Sequence, residues 1–171
     1  MNLANNKILI TGGASGIGLG LTERFIQENN TVIICGRREA VLNEVKAKFP
    51  TVITKVCDLS YEKERIALYE WIAENHPDLN VLINNAGIQK WVSVTDADFY
   101  QSMKTELNTN IEAPLHLTSF IHSVKIAYNS NECNLRIGFF AFCKSSCLFG
   151  YKSFFPFVYP LTSSYFKSKK Y

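Results

Sequence analysis

Four short apolar runs, 7–11 (KILIT), 31–35 (TVIIC), 51–57 (TVITKVC) and 81–84 (VLIN), are separated by longer stretches with apolar residues at helical spacing. The runs are continuous rather than alternating, as in strands buried on both faces of a sheet. Intervening segments at 16–29, 39–49 and from Ser60, which can cap a helix there, to about 75 are long enough to be crossover helices. Such alternation predicts βαβ units, a parallel sheet and right-handed crossovers that put helices on both faces. The first helix should turn Ile17, Leu21, Phe25 and Ile26 inward, and the second Val41, Leu42, Val45 and Phe49. Thr95-Asp96-Ala97-Asp98 resembles a capping box ahead of a long helix from about 98 to 125. The stretch 135–142 (LRIGFFAF) reads as a fifth strand. The fold class expected is therefore α/β, a doubly wound, Rossmann-like parallel sheet that breaks off after about the fifth strand.

The 171 residues suit one domain, and 47% hydrophobic against 19% charged residues excludes a disordered chain. A net charge of +3 is too small to argue for nucleic acid. The average conceals a break. Residues 1–132 carry all 15 acidic side chains, whereas residues 133–171 carry six basic ones, no acid, and 12 of the 22 aromatics. The chain is thus read in two parts, residues 1–132 and an atypical aromatic, basic tail over residues 133–171. Five cysteines, an odd number, suggest reduced thiols and a cytoplasmic protein, and Cys143 and Cys147 lack the two-residue spacing of redox or zinc motifs. The N-terminus leads straight into a strand pattern, so no secretory signal is expected. Residues 137–161 are interrupted by Lys144, Lys152, Pro156 and Pro160, so no membrane span is expected either.

Between the first strand and the first helix lies Thr11-Gly12-Gly13-Ala14-Ser15-Gly16-Ile17-Gly18. Glycines there let the backbone approach a diphosphate, and the helix start offers free N–H groups and a partial positive charge. The plainer reading is a tight turn, but its place after the first strand favours phosphate. The second strand should end beside the adenosine ribose, where an acidic residue would accept from a 2′-hydroxyl. Here Arg37 and Arg38 follow Gly36. Two guanidiniums suit a 2′-phosphate, so NADP is expected over NAD; the alternative is solvated surface charge.

These residues resemble the short-chain dehydrogenase/reductase family. The stretch 11–18 is similar to its cofactor loop, and Asn84-Asn85-Ala86-Gly87 to its NNAG motif. Asp58-Leu59 falls where the family contacts adenine, and Asn110 resembles its active-site asparagine. The likeness covers about residues 5–122, and with the glycine loop it implies that residues 1–132 form a dinucleotide-binding domain. It implies cofactor binding by Gly12, Ala14, Ser15, Gly16, Ile17, Gly18, Arg37, Arg38, Asp58, Leu59, Asn85, Ala86 and Gly87. It also implies NADP-dependent oxidoreduction of a carbonyl or alcohol in a small organic substrate. Pro114 has no N–H for the carbonyl of Asn110, leaving that oxygen for water, as the family's proton relay requires.

The family also uses a Ser, a Tyr and, four residues on, a Lys. Beyond Asn110 one Tyr-x-x-x-Lys occurs, Tyr165 to Lys169, with Ser153 12 residues before Tyr165. Ser153, Tyr165 and Lys169 are accordingly the catalytic candidates beside Asn110. They depart from the pattern: Tyr165 lies 55 residues past Asn110, and Pro156, Pro160 and Thr162-Ser163-Ser164 favour loop over helix. Tyr151 is nearer the family position, but Phe155 stands where the lysine belongs. Two readings of the tail follow: an out-of-frame or spliced-in ending, or a genuine short variant with an aromatic tail. Three alternatives follow in turn: an oxidoreductase, a truncated protein that binds nucleotide without turnover, or a non-functional fragment that does not fold. Neither a membrane nor a nucleic-acid partner is expected, and pairing with a second copy, common in the family, is not expected of this chain. His76, His116 and His122 match no metal motif, and Trp71 and Trp91 read as core or pocket wall.

Overall fold

The computed structural model of the protein describes residues 4–128, 136–139 and 159–160. Strands β1 (Lys7–Thr11), β2 (Thr31–Gly36), β3 (Ile53–Val56) and β4 (Val81–Asn84) pair in parallel. Strand β5 (Arg136–Phe139) lies parallel to β4, and β6 (Tyr159–Pro160) is antiparallel to β5. The sheet runs β3-β2-β1-β4-β5-β6. The chain thus moves outward from β1 to one edge and then returns to β1's other side. That reversal opens a crevice beyond the carboxyl ends of β1 and β4, where ligands bind in open α/β sheets.

Helices α1 (Gly16–Gln27), α2 (Glu39–Lys48) and α3 (Glu62–Asn75) follow the first three strands. Alternate strand residues enter two cores. Ile8, Ile10, Val32 and Ile34 pack with Leu42 and Val45 of α2 and the partly buried Leu21, Phe25 and Ile26 of α1. Leu9, Ile33 and Leu82 pack with Leu68 and Ile72 of α3 and, from the helix beyond β4, Leu117 and Ile121. Helix α1 ends where Asn29 takes a left-handed conformation (φ 56°) and the N–H of Asn30 returns to the Phe25 carbonyl. Asparagine tolerates this geometry better than most residues.

Several boundaries differ from the sequence expectation. Strand β3 is Ile53–Val56, shorter than 51–57. Ser60 does not cap α3; Tyr61 holds that position, and Ser60 donates both N–H and hydroxyl to Asp58. The Thr95 box does not form: Asp98 precedes the next helix, and its carboxylate accepts the Ser102 hydroxyl instead. Ile17 is 44% exposed because it faces the crevice rather than the core.

The expected long helix is divided. Helix α4 (Phe99–Leu107) passes through a π-helical turn, Asn108–Glu112, into α5 (Ala113–Tyr128). The Ala113 N–H returns to the Asn108 carbonyl, five residues back. Pro114 follows at once and has no N–H to restore four-residue bonding. Such π-turns are frequent at functional sites.

Candidate cofactor cleft

A cleft of about 430 Å³ opens at the carboxyl ends of β1, β2, β3 and β4. All the sequence-predicted cofactor residues except Gly16 line it: Gly12, Ala14, Ser15, Ile17, Gly18, Arg37, Arg38, Asp58, Leu59, Asn85, Ala86 and Gly87. Gly16 belongs to the same loop, opens α1, and has φ 54°, a conformation that favours glycine. A Cβ at Gly16 would meet no protein atom within 4 Å. Gly18 is the opposite case. A Cβ there would stand 2.1 Å from the Gly12 carbonyl oxygen and 2.5 Å from Asn85 Nδ2. The glycine loop is therefore folded tightly on itself on one side and open to the cleft on the other.

Three side chains fix this loop. Thr11, at the end of β1, accepts the N–H groups of Asn85 (2.9 Å) and Ala86 (3.0 Å) on its hydroxyl. Asn85 reciprocates by donating Nδ2 to the carbonyls of Thr11 (2.9 Å) and Gly12 (3.3 Å). Thr22, buried on α1, has its hydroxyl 2.9 Å from the carbonyls of both Gly13 and Gly18. The motif at 84–87 marks Asn85 as a cofactor contact, whereas nothing in the sequence distinguishes Thr22 from an ordinary helical threonine. In the structure both hold the loop's carbonyls, leaving the start of α1 to present its amides.

At the far end of β2, Arg37 and Arg38 lie on the cleft wall, and Arg38 Nη2 donates to the Ser15 hydroxyl (3.2 Å). Across the cleft, Asp58 accepts from Ser60, while its own N–H donates to Glu64. Val41, Leu42 and Leu59 supply apolar wall suited to a flat base. Two thiols also border the cleft. Burial, with the neighbouring Cys57 adding to it, pushes the Cys35 thiol far above its ordinary range. Burial, followed by the charges of Glu64 and Asp58, pushes Cys57 up to about 12. Burial thus keeps both thiols protonated at neutral pH and leaves them weakly nucleophilic. Among the described residues no group of three His, Cys, Asp or Glu could hold a metal ion.

Asn110 stands in the π-turn and faces the loop after β4. Its Oδ1 accepts the Ile88 N–H (2.9 Å) and its Nδ2 donates to the Ile88 carbonyl (2.8 Å). The side chain is thus tied to that loop by both of its polar atoms. Thr109, its neighbour, reaches the cleft wall. Ser153, Tyr165 and Lys169 lie outside the described residues. A second Tyr-x-x-x-Lys, Tyr100 to Lys104, lies on α4, with both residues exposed and neither lining the cleft.

A family model described as short chain dehydrogenase matches residues 6–124. The chain belongs to the short chain dehydrogenase family. The match takes in the glycine loop, the Asn84–Gly87 turn and the Asn110 turn. Among relatives, an uncharacterized oxidoreductase, DltE, of Bacillus subtilis (strain 168) is 48% identical over 122 residues, covering 70% of this chain and 48% of the relative. A tropinone reductase homolog of Arabidopsis thaliana is 30% identical over 129 residues, 71% of this chain and 48% of its own length. A solved structure described as a short chain dehydrogenase/reductase family protein superposes with a TM-score of 0.64 at 28% identity. That likeness covers 74% of this chain and 52% of the other. The chain spans about half the length of these relatives. The family uses NAD(P) and small-molecule substrates. No helix among the described residues is long and apolar enough to cross a membrane.

Proposed function

We propose that the protein is an NADP-dependent oxidoreductase acting on a carbonyl or alcohol of a small organic substrate in the cytoplasm. The observation that carries this reading is the arginine pair at the end of β2, with Arg38 anchored to Ser15 of the glycine loop. Amides at the start of α1 take the diphosphate, Arg37 and Arg38 pair with the 2′-phosphate, and Asp58 and Leu59 border the adenine. Asn85, Ala86 and Gly87 line the continuation of the crevice towards Asn110. The bound nicotinamide would give or take the hydride. The chain's part is to position it, with the Asn110 carbonyl holding a water on the proton path and Ser153, Tyr165 and Lys169 as the proposed acid–base set.

A competing reading is nucleotide binding without turnover, favoured by Phe155 standing where a lysine would complete the pair with Tyr151. A fluorescence titration of the purified chain with NADPH and with NADH, followed by a carbonyl-substrate screen, separates the two. Tighter NADPH binding with turnover supports the oxidoreductase. Tight binding without turnover supports the competitor. Equal affinity for both cofactors overturns the NADP assignment.

A further inference from the structure

Arg65, on α3, is 1% exposed. Withdrawing a guanidinium from water costs several kcal/mol unless its donors are met. Here all three kinds of nitrogen donate, each to a different partner. Nη1 donates to the Leu59 carbonyl (2.8 Å), Nη2 to Glu112 Oε1 (2.5 Å), and Nε to His116 Nδ1 (3.2 Å). Leu59 lines the proposed adenine end of the cleft. Glu112 closes the π-turn that carries Asn110, and His116 lies on α5 one turn further on. Glu112 itself is 54% exposed and lines no part of the cleft.

We propose that Arg65 is a positioning residue that couples the adenosine end of the cleft to the Asn110 turn. The geometry argues for this role over simple core filling. An apolar side chain would fill the space on α3 but could tie neither the Leu59 carbonyl nor the π-turn. The planar fork holds both at once, so displacement of one is transmitted to the other. Since Asn110 grips Ile88 on the opposite wall, the linkage runs from the Asp58-Leu59 loop through Arg65 and Glu112 to the loop after β4. Bonding to Nε also requires Nδ1 of His116 to be the unprotonated ring nitrogen.

The test perturbs the exposed end of the pair, and far-UV circular dichroism checks that each variant is folded. Amide hydrogen exchange is measured on the full chain without ligand, in wild type, Glu112→Ala and Glu112→Gln. Glu112→Ala is expected to speed exchange at 108–116 and also at 58–61, which Arg65 joins to Glu112. Glu112→Gln keeps an acceptor oxygen and is expected to restore slow exchange at 58–61. A change confined to 108–116, or equal loosening of 58–61 in both variants, overturns the proposal. A second arm rests on the cofactor reading: affinity for 2′,5′-ADP should fall about fivefold in Glu112→Ala, the low end of coupling between sites, and recover in Glu112→Gln. Unchanged affinity in Glu112→Ala counts against the coupling. Failure of wild type to bind 2′,5′-ADP overturns the cofactor reading, while the ligand-free exchange still decides the role of Arg65.

Discussion

Gly18→Ala and Gly20→Ala place the same methyl group two residues apart on α1 and are expected to act in opposite directions. At Gly18 the new Cβ would lie 2.1 Å from the Gly12 carbonyl oxygen and 2.5 Å from Asn85 Nδ2. The first of these is backbone, so relief requires the glycine loop to move away from α1. Overpacking of this kind costs about 1–3 kcal/mol. Displacing Asn85 also weakens its bonds to the Thr11 and Gly12 carbonyls, at about 1 kcal/mol each. A total loss of about 3–5 kcal/mol follows. At Gly20 a Cβ meets nothing within 4 Å, and exchanging glycine for alanine inside a helix gains about 0.5–1 kcal/mol. Urea unfolding followed by far-UV circular dichroism measures both. Equal shifts of the two midpoints, or a Gly18→Ala protein as stable as wild type, would refute the close-approach argument.

Three further outcomes are expected. Thr11→Val removes the acceptor shared by the Asn85 and Ala86 amides, and at about 1–3 kcal/mol for a buried unmet group it should lower the urea midpoint and weaken NADPH binding more than Ser119→Ala does. Burial and then the Lys7 charge lower the His76 pKa from 6.5, with Asp78 opposing. The folded protein therefore takes up that proton less readily than the unfolded chain. The resulting stability is present above pH ~6.5 and lost as pH falls through the range below it, so His76→Gln should flatten the urea midpoint between pH 7 and 5. Cys35 and Cys57, held protonated by burial, should resist iodoacetamide at pH 8 in the folded protein and react once urea is added, as read by peptide mapping.

The central architecture was legible because each of its signals is local. Continuous apolar runs are what a parallel sheet covered on both faces demands, and the glycine loop has few conformations open to it between a strand and a helix. Pro114 announced the disturbance near Asn110, since a missing N–H is a covalent fact, although it did not disclose that five residues would adopt π geometry. Other features depended on contacts far apart in sequence. Arg65 looks like one more charge on a helix surface until Leu59, Glu112 and His116 surround it, the last two about 50 residues away. Thr22 reads as an ordinary helical threonine, yet its hydroxyl meets two loop carbonyls. Ser60 looked like a cap because serine usually is one, but Asp58 two residues earlier offered its hydroxyl a stronger acceptor.

The account turns on the amides at the start of α1 gripping a dinucleotide's diphosphate. The most direct measurement is a nitrogen–proton correlation spectrum of the labelled chain during NADPH titration. Saturable shifts largest at the amides of residues 15–18, with smaller ones at Arg38 and Leu59, are the predicted result. A folded spectrum in which those amides stay fixed while NADPH binds elsewhere, or does not bind, would contradict it.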